Sequence, residues 1–334
     1  MIQIMTSGAV NLIQDEGRHG YMHLGVCTGG AMDSLSLRYA NALVGNAPDA
    51  AGIEIVLFPF KVKFERDTVF ACTGGDGRIE LDDQVLAPWW RGHAKAGQIL
   101  TLHRPNRGLR QYLAVSGGID IAPVLGARAT DLKSGFGGLN GRGLKRLDRL
   151  PLGQPHGDTI ATGSLGCIPK ALPGLLRQLH RGCVTVRVIP AAEFSEFTPD
   201  SIKQLFTSPW QVTADANRQG YRLQGEHSLS MTERRELLSH GIVPGTVQVP
   251  PAGQPIIQLA EANTCGGYPK IATVIEADLW RLGQVPSGCA LRFEHVDITT
   301  AVTALREQTN DLQALNDNLP LMANRRRHAG RPIS

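Results

Sequence analysis

The chain has 334 residues, and no apolar run in it approaches the ~20 residues that a membrane span needs. Its first stretch, MIQIMTSGAVNLIQDEG, has no basic n-region and no long apolar h-region, so no signal peptide is expected. Six cysteines are scattered without any CxxC or any His–Cys spacing suited to zinc, which argues against a metal ribbon or a disulfide scaffold. Excess charge is small, at +4, and much of it sits at Arg325, Arg326, Arg327 and Arg331. Aromatics do not interleave with that basic tail, so it reads as a solvated end and not as a nucleic-acid arm. The strong catalytic signatures are missing as well. There is no GxxxxGK[ST], no GxGxxG opening a helix after a strand, no HExxH and no GxSxG. Met-Lys-Met is absent, so no biotin is expected to be attached covalently to this chain. What is left is a reduced, cytoplasmic enzyme or binding protein without nucleic-acid or membrane partners.

Glycine and proline, in contrast, are plentiful, with 38 and 20 residues. Long helical patterns are few, so the chain reads as turn-rich and strand-rich. Its length suggests two domains, each able to bury a core.

The most informative stretch is Leu259–Ile275, LAEANTCGGYPKIATVI. An apolar run, Pro255–Ala260, reads as a strand leading into it, and Ile271–Ile275 reads as a strand leaving it. Between them stand Glu261, Asn263, Thr264 and Cys265, then Gly266 and Gly267, then Tyr268, Pro269 and Lys270. The two glycines allow positive φ or a close backbone approach to a ligand. A polar loop between buried strands holds functional groups on a rigid frame. Glu261 suits a general base, or a group that orients one. Tyr268 and Lys270 suit stabilisation of negative charge developing on an amide oxygen or a phosphate. The alternative is a corner whose polar groups satisfy each other, with Glu261 paired to Lys270.

Weak matches recur in the same order in both halves. Arg18-x-Gly20-Tyr21 matches Arg218-x-Gly220-Tyr221. A helix pattern at Asp33–Val44 matches one at Ser230–His240, where Ser230 and Glu233 form a capping box. Glu54 matches Gln248, and Gly74 matches Gly266. The offset shrinks smoothly, from 200 at Arg18/Arg218 to 191 at Gly97/Gly288. This drift reads as a duplicated β-rich unit, and one short helix among many short strands favours barrels. The first unit is expected over residues 1–165, with a glycine-rich insert at Thr130–Arg142. A linker follows at Gly163–Gly182, and the second unit is expected over residues 183–296. The remainder, 297–334, reads as a helix capped by Asp297 or Thr299, running from Thr300 to about Asn316, and a poorly ordered basic tail.

Other polar residues are candidates for ligand binding. Arg18 and Arg218 can clamp a carboxylate or phosphate, or tie their loops to backbone carbonyls. Asp33 can position an ammonium or N–H, and it also suits a helix N-cap. Arg38 and Asn41 share a helix face. Gln248 and Asn263 suit an amide ligand. Lys133 and Arg142 belong to the glycine-rich insert, which reads either as a surface loop or as an anion-binding loop. Arg222 completes the set. His19 and His23 have no third ligand, so no metal site is expected.

Taken together, GRHGYMHLG, GAMDSLSLRYANALVGN, LAVSGGID, TDLKSGFGGLNGR, SPWQVTADANRQGYRLQG, ELLSHGIVPGTVQVPPAGQPI and TCGGYPKIATVIEADLWRLGQVP resemble the family of 5-oxoprolinase C subunits. It is also called the biotin-dependent carboxyltransferase or allophanate-hydrolase-subunit-2-like family, and includes KipA-type antagonists of a kinase inhibitor. The resemblance runs from about Ile2 to Phe293. It implies a mainly β chain with two tandem cyclophilin-like β-barrels and short helices. It also implies a cytoplasmic hetero-oligomer whose direct partner for this chain is the KipI-like B subunit, joined by the LamB/YcsF-like A subunit. That complex hydrolyses 5-oxo-L-proline to L-glutamate at the expense of ATP, with Mg2+ expected beside the nucleotide. On this reading the lactam oxygen is phosphorylated, water opens the ring and the acyl phosphate is hydrolysed. Glu261, Tyr268 and Lys270 would contribute from this chain, which is expected to be inactive alone. Urea carboxylase relatives imply the alternative of biotin-dependent carboxyl transfer to a small amide, from a separate carrier. A non-enzymatic KipA-like role is the third reading. The family usually has Asp-x-Gln-Thr-Thr-Gly-Gly-Tyr where this chain has Glu261-Ala262-Asn263-Thr264-Cys265-Gly266-Gly267-Tyr268, so the changes fall in the loop that would face substrate.

Overall fold

The computed structural model describes residues 1–155, 165–233 and 236–329. The chain divides into two compact units. One comprises Met1–Gly17, Ser34–Leu172 and Gln308–Ser334, and the other Arg18–Asp33 and Pro173–Glu307.

In the first unit the strands are β1 (Ile2–Thr6), β2 (Leu12–Gln14), β3 (Gly52–Ile55), β4 (Phe60–Phe64), β5 (Thr68–Gly74), β6 (Ile79–Leu81), β7 (Gln84–Leu86), β8 (Trp90–Ala94), β9 (Ile99–Leu102), β10 (Gln111–Val115) and β11 (Arg149–Leu150). They form two sheets, ordered β11-β1-β4-β9-β6-β7 and β2-β3-β10-β5-β8. Alternation in β4, FKVKF, turns Phe60, Val62 and Phe64 inward and the two lysines outward, as period-2 patterning requires. These side chains join Ile2, Ile4, Leu100 and Leu102 from their own sheet and Ile53, Phe70 and Leu113 from the other in one core. Helix α1 (Ser34–Leu43) lies on the far side of β5 and β10, where Ala40, Leu43 and Val44 pack on Val69, Ala71 and Ala114.

The second unit holds α2 (Leu172–His180), β12 (Cys183–Pro190), α3 (Pro199–Thr207), β13 (Trp210–Val212), β14 (Gly220–Gln224), β15 (His240–Gly241), β16 (Thr246–Gln248), β17 (Ile256–Gln258), β18 (Cys265–Gly266), β19 (Lys270–Val274), α4 (Glu276–Leu282), β20 (Ala290–His295) and the start of α5 (Ile298–Ala329). Seven of these strands close a barrel in the order β12-β19-β16-β17-β14-β13-β20. The fold is therefore mainly β with few helices. The closed ring is the second unit's, and the first unit's strands split into two sheets around one core. β15 and β18 stand outside the ring as a two-stranded ribbon, with His240 opposite Gly266 and Gly241 opposite Cys265.

Several sequence expectations are corrected here. Described residues of Ser230–His240 form no helix, because Ser230 is stitched to α3 and does not cap a turn of its own. Its N–H donates to Ser201 Oγ (2.8 Å), and its carbonyl accepts from Thr198 N (3.1 Å). The Arg-Gly-Tyr motifs also differ locally. Tyr21 precedes a 3-10 turn at Met22–Leu24, whereas Tyr221 lies on β14 and donates to Val285 O (3.2 Å). The expected linker contains α2, and residues 163–164 of it lie outside the described residues. The last helix starts where Asp297 Oδ1 accepts from Thr300 N (2.7 Å), and it runs to Ala329 and not to Asn316. Helix thus occupies part of the expected tail, of which Arg331 lies outside the described residues.

The glycine-rich insert is a built structure. Gly141 has φ of 66°, and a Cβ there would fall 2.0 Å from Gly135 O, so only glycine fits this turn. Arg142 donates to both oxygens of Asp148 (2.8 and 2.9 Å), and Lys145 N donates to the same carboxylate (2.8 Å). The Arg142 guanidinium beside it holds the Asp148 carboxyl below its usual range. A depressed carboxylate pKa stabilises the fold above the unfolded value of about 3.9, and that stability is lost as pH falls through the folded value. Asp148→Asn is thus expected to lower stability by about 1–2 kcal/mol at neutral pH. The gap to wild type should shrink below pH ~4, as read by acid unfolding of both proteins.

Candidate functional site

A cleft of ≈ 330 Å³ opens on the barrel of the second unit. Strands β14, β16 and β17 present Arg222, Gln248, Ile256 and Gln258 to it. Asn217 and Gln219 line it from the turn before β14, and Asn263, Cys265, Gly266, Gly267 and Tyr268 from the loop after β17. Alternation places these groups. In β14, GYRLQ, Tyr221 and Leu223 turn into the barrel, so Arg222 turns outward. Register sets Arg222 opposite Ile256 and Gln248 opposite both Ile256 and Lys270, which gathers the polar side chains at one end of three adjacent strands.

Two carboxamides meet in the cleft. Gln258 Nε2 donates to Gln248 Oε1 (2.8 Å), while Gln248 Nε2 reaches Tyr268 O at 3.5 Å, a weak contact. This leaves Gln258 Oε1 as an acceptor and Gln248 Nε2 as a donor with capacity to spare. Arg222 is exposed, with no ion pair among the described residues. Tyr268 is half-exposed at the rim.

Neither Gly266 nor Gly267 has positive φ. Their small size serves packing instead. A Cβ on Gly266 would lie 2.6 Å from Ile242 Cδ1 and 2.9 Å from Gln248 Nε2, and one on Gly267 would lie 2.8 Å from Leu237 O.

Behind this loop sits a buried ionic pair. Arg218 Nε donates to Glu261 Oε1 (2.6 Å), and Arg218 Nη2 donates to Gly30 O (2.6 Å). Both side chains are buried. Glu261 thus pairs with Arg218, not with Lys270, and neither Glu261 nor Arg218 lines the cleft.

Lys270 is buried beneath the ribbon. Its Nζ contacts His240 Nε2 (2.6 Å) and Gly266 O (3.2 Å), and its main-chain N–H donates to Glu193 Oε2 (2.8 Å). Burial pushes the Lys270 ammonium below its ordinary pKa, against the opposing pull of Glu193.

Of the remaining candidates, Asp33 accepts from Gln284 Nε2 (2.6 Å), Arg18 is buried, and Thr264 gives its carbonyl to Ile242 N (3.0 Å). Arg38, Asn41, Lys133 and Arg142 belong to the first unit. There Arg38 pairs with Glu16, and Asn41 is buried and donates to Ala50 O (2.8 Å). Sequence reasoning did not single out Gln258, Asn217, Gln219, His240 or Glu193. Gln258 was legible from its alternation with Ile256 ahead of the loop. His240 and Glu193 carry no spacing signal, because pairing across distant strands brings them to Lys270.

A barrel with a polar, amide-rich cleft behind a Gly-Gly loop is what this fold and site define, and the chain belongs to the carboxyltransferase-domain family, subdomains A and B, which it matches over residues 24–295. Within that family it is similar to the C subunit of 5-oxoprolinase from Escherichia coli, with 44% identity over 94% of this chain and 97% of the relative. It is 38% identical to the C subunit of the Haemophilus influenzae 5-oxoprolinase, over 92% of this chain and 95% of that one. The crystal structure of the K. lactis urea amidolyase matches 94% of this chain with a TM-score of 0.85 and 30% identity, and the chain spans 20% of that much longer protein.

Proposed function

We propose that this chain is the C subunit of an ATP-dependent 5-oxoprolinase, hydrolysing 5-oxo-L-proline to L-glutamate together with A-type and B-type partners. The observation that carries this reading is the end-to-end match to the C subunits of 5-oxoprolinases, against a match to only a fifth of the urea amidolyase. The cleft adds chemical support. A lactam is a cis amide, with its C=O and N–H on one edge. Gln248 Nε2 and Gln258 Oε1 offer the complementary donor and acceptor, and Arg222 offers a cation for the ring carboxylate. Urea has no carboxylate and leaves Arg222 without a task. Tyr268 and Asn263 close the rim, Lys270 holds the wall formed by Gly266, and the Arg218–Glu261 pair fixes the base of the loop.

A metal-bound triphosphate asks for several cations and for carboxylates at the metal. The cleft surface has one guanidinium and no carboxylate. That donor set does not fit the nucleotide, so no nucleotide step is assigned to this cleft. The chain alone is expected to be inactive.

The test is to co-purify the chain with its neighbour-encoded partners and measure glutamate release from 5-oxoproline with and without ATP. Release that requires ATP and every partner supports the reading. Absence of release, with carboxyl transfer from carboxybiotin to urea in the same mixture, would favour the carboxyltransferase alternative. Arg222→Ala is expected to raise KM for 5-oxoproline about 10–100-fold with a smaller change in kcat, the worth of one charge-assisted contact. Competition by 2-pyrrolidinone, which lacks the carboxylate, should be unaffected.

A further inference from the structure

His240 Nε2 stands between two partners of opposite kind. Lys270 Nζ, 2.6 Å away, can only donate, and Glu193 Oε1, 3.5 Å away, can only accept while ionised. His240 Nδ1 lies 3.1 Å from Leu238 O. A carbonyl only accepts, so Nδ1 carries the proton and, in the neutral ring, Nε2 is the acceptor that Lys270 needs. The same ammonium reaches Gly266 O at 3.2 Å. His240 and Gly266 face each other across the ribbon, so one cation pins both strands of β15–β18 to β19. Cys265 and Gly266 of that ribbon form a wall of the cleft, together with Ile242, the residue that follows β15.

We propose that His240 is a positioning residue that switches the cleft wall. When neutral, it accepts from Lys270 and clamps the ribbon. When protonated, its Nε2–H donates to Glu193 instead, and the Lys270 staple is released. Only one proton fits between Nε2 and Nζ, because an imidazolium and an ammonium at that separation repel. Among the described residues, Glu193 from the turn after β12 is the carboxylate in contact with His240, and the Gly266 carbonyl of β18 is the other acceptor at Lys270 Nζ, so Glu193 is the anion placed to accept from a protonated Nε2.

The clamp itself is independent of the proposed reaction, whereas its effect on turnover rests on that reading. Amide hydrogen exchange on the whole chain, compared as protection factors at pH 7.5 and 5.5, tests the first. Wild type is expected to lose roughly tenfold in protection at Ile242 and Gly266 on acidification, with the barrel strands unchanged. His240→Gln keeps an acceptor that does not titrate, so it should fold and show no acid loss. Equal wild-type protection at both pH values, or the same loss in His240→Gln, would overturn the switch. In the assembled enzyme, kcat should fall between pH 7.5 and 5.5, and His240→Gln should abolish that fall while retaining turnover at pH 7.5. Protection that switches without any glutamate release would count against the oxoprolinase reading and leave the switch standing. An acid limb unchanged in His240→Gln would remove His240 from the reaction.

Discussion

Lys270→Met should cut glutamate release by the assembled complex at least about 100-fold while leaving the melting temperature unchanged or higher. The two halves of this expectation have separate causes. Turnover falls because the ribbon bearing Cys265 and Gly266 loses the ammonium that ties it to β19, and a misplacement of about 1 Å can cost a hundredfold in rate. Stability does not fall because burial disfavours the charged amine, as its lowered pKa records. A lysine whose folded pKa lies below its unfolded pKa makes folding less favourable at every pH below both. That cost fades as pH rises from the folded value toward the unfolded one, about 10.5. Methionine keeps the length of the stem and removes the charge. Wild type should therefore gain on the variant in alkaline thermal melts and trail or equal it at pH 7. Full turnover by Lys270→Met would take this loop out of the reaction, and a collapse of melting temperature would make Lys270 a structural residue.

The second large effect is on stability. Arg218→Met leaves the Glu261 carboxylate buried without its cation and removes the donor to Gly30 O. Stranding one member of a buried ion pair costs about 3–5 kcal/mol. For a unit of this size that corresponds to a drop of roughly 6–20 °C in melting temperature. Adding Glu261→Gln should recover a large part of the loss, since the amide is neutral and the pair is removed together. A double variant no more stable than the single one would mean that Gly30, and not the charge, carries the effect. Calorimetry of the four proteins of this cycle decides the matter.

How much of this was legible beforehand follows from range. Local patterns held. The apolar runs either side of Glu261–Pro269 gave β17 and β19, and Asp297, one of two cap candidates, does cap α5. The helix at Ser230–His240 failed because its capping signature was outweighed by hydrogen bonds to Ser201 and Thr198, which lie close only after folding. At the site, the sequence pointed to a loop that lines the cleft. It brought forward Arg222, Gln248, Asn263, Gly266, Gly267 and Tyr268, all of which line the cleft. For Glu261 it offered a general base or, as the alternative, a partner to Lys270. Arg218 occupies that carboxylate instead, because Glu261 follows β17 and its main-chain N–H donates to Arg218 O (2.9 Å), bringing the two side chains together. His240 and Glu193 were invisible for the same reason, since only strand pairing places them beside β19.

The stretch Arg18–Asp33 belongs to the compact unit that otherwise begins at Pro173. Within that unit it supplies the carbonyl of Gly30 to Arg218, the N–H of Gly29 to Ala260, and the carboxylate of Asp33 to Gln284. The barrel is therefore encoded in two places on the gene. A polypeptide started at Cys183 would carry every strand of the ring and still lack the peptide that seals its Arg218 corner. Supplying residues 18–33 in trans, as a synthetic peptide, is the complement that such a half-gene product would need.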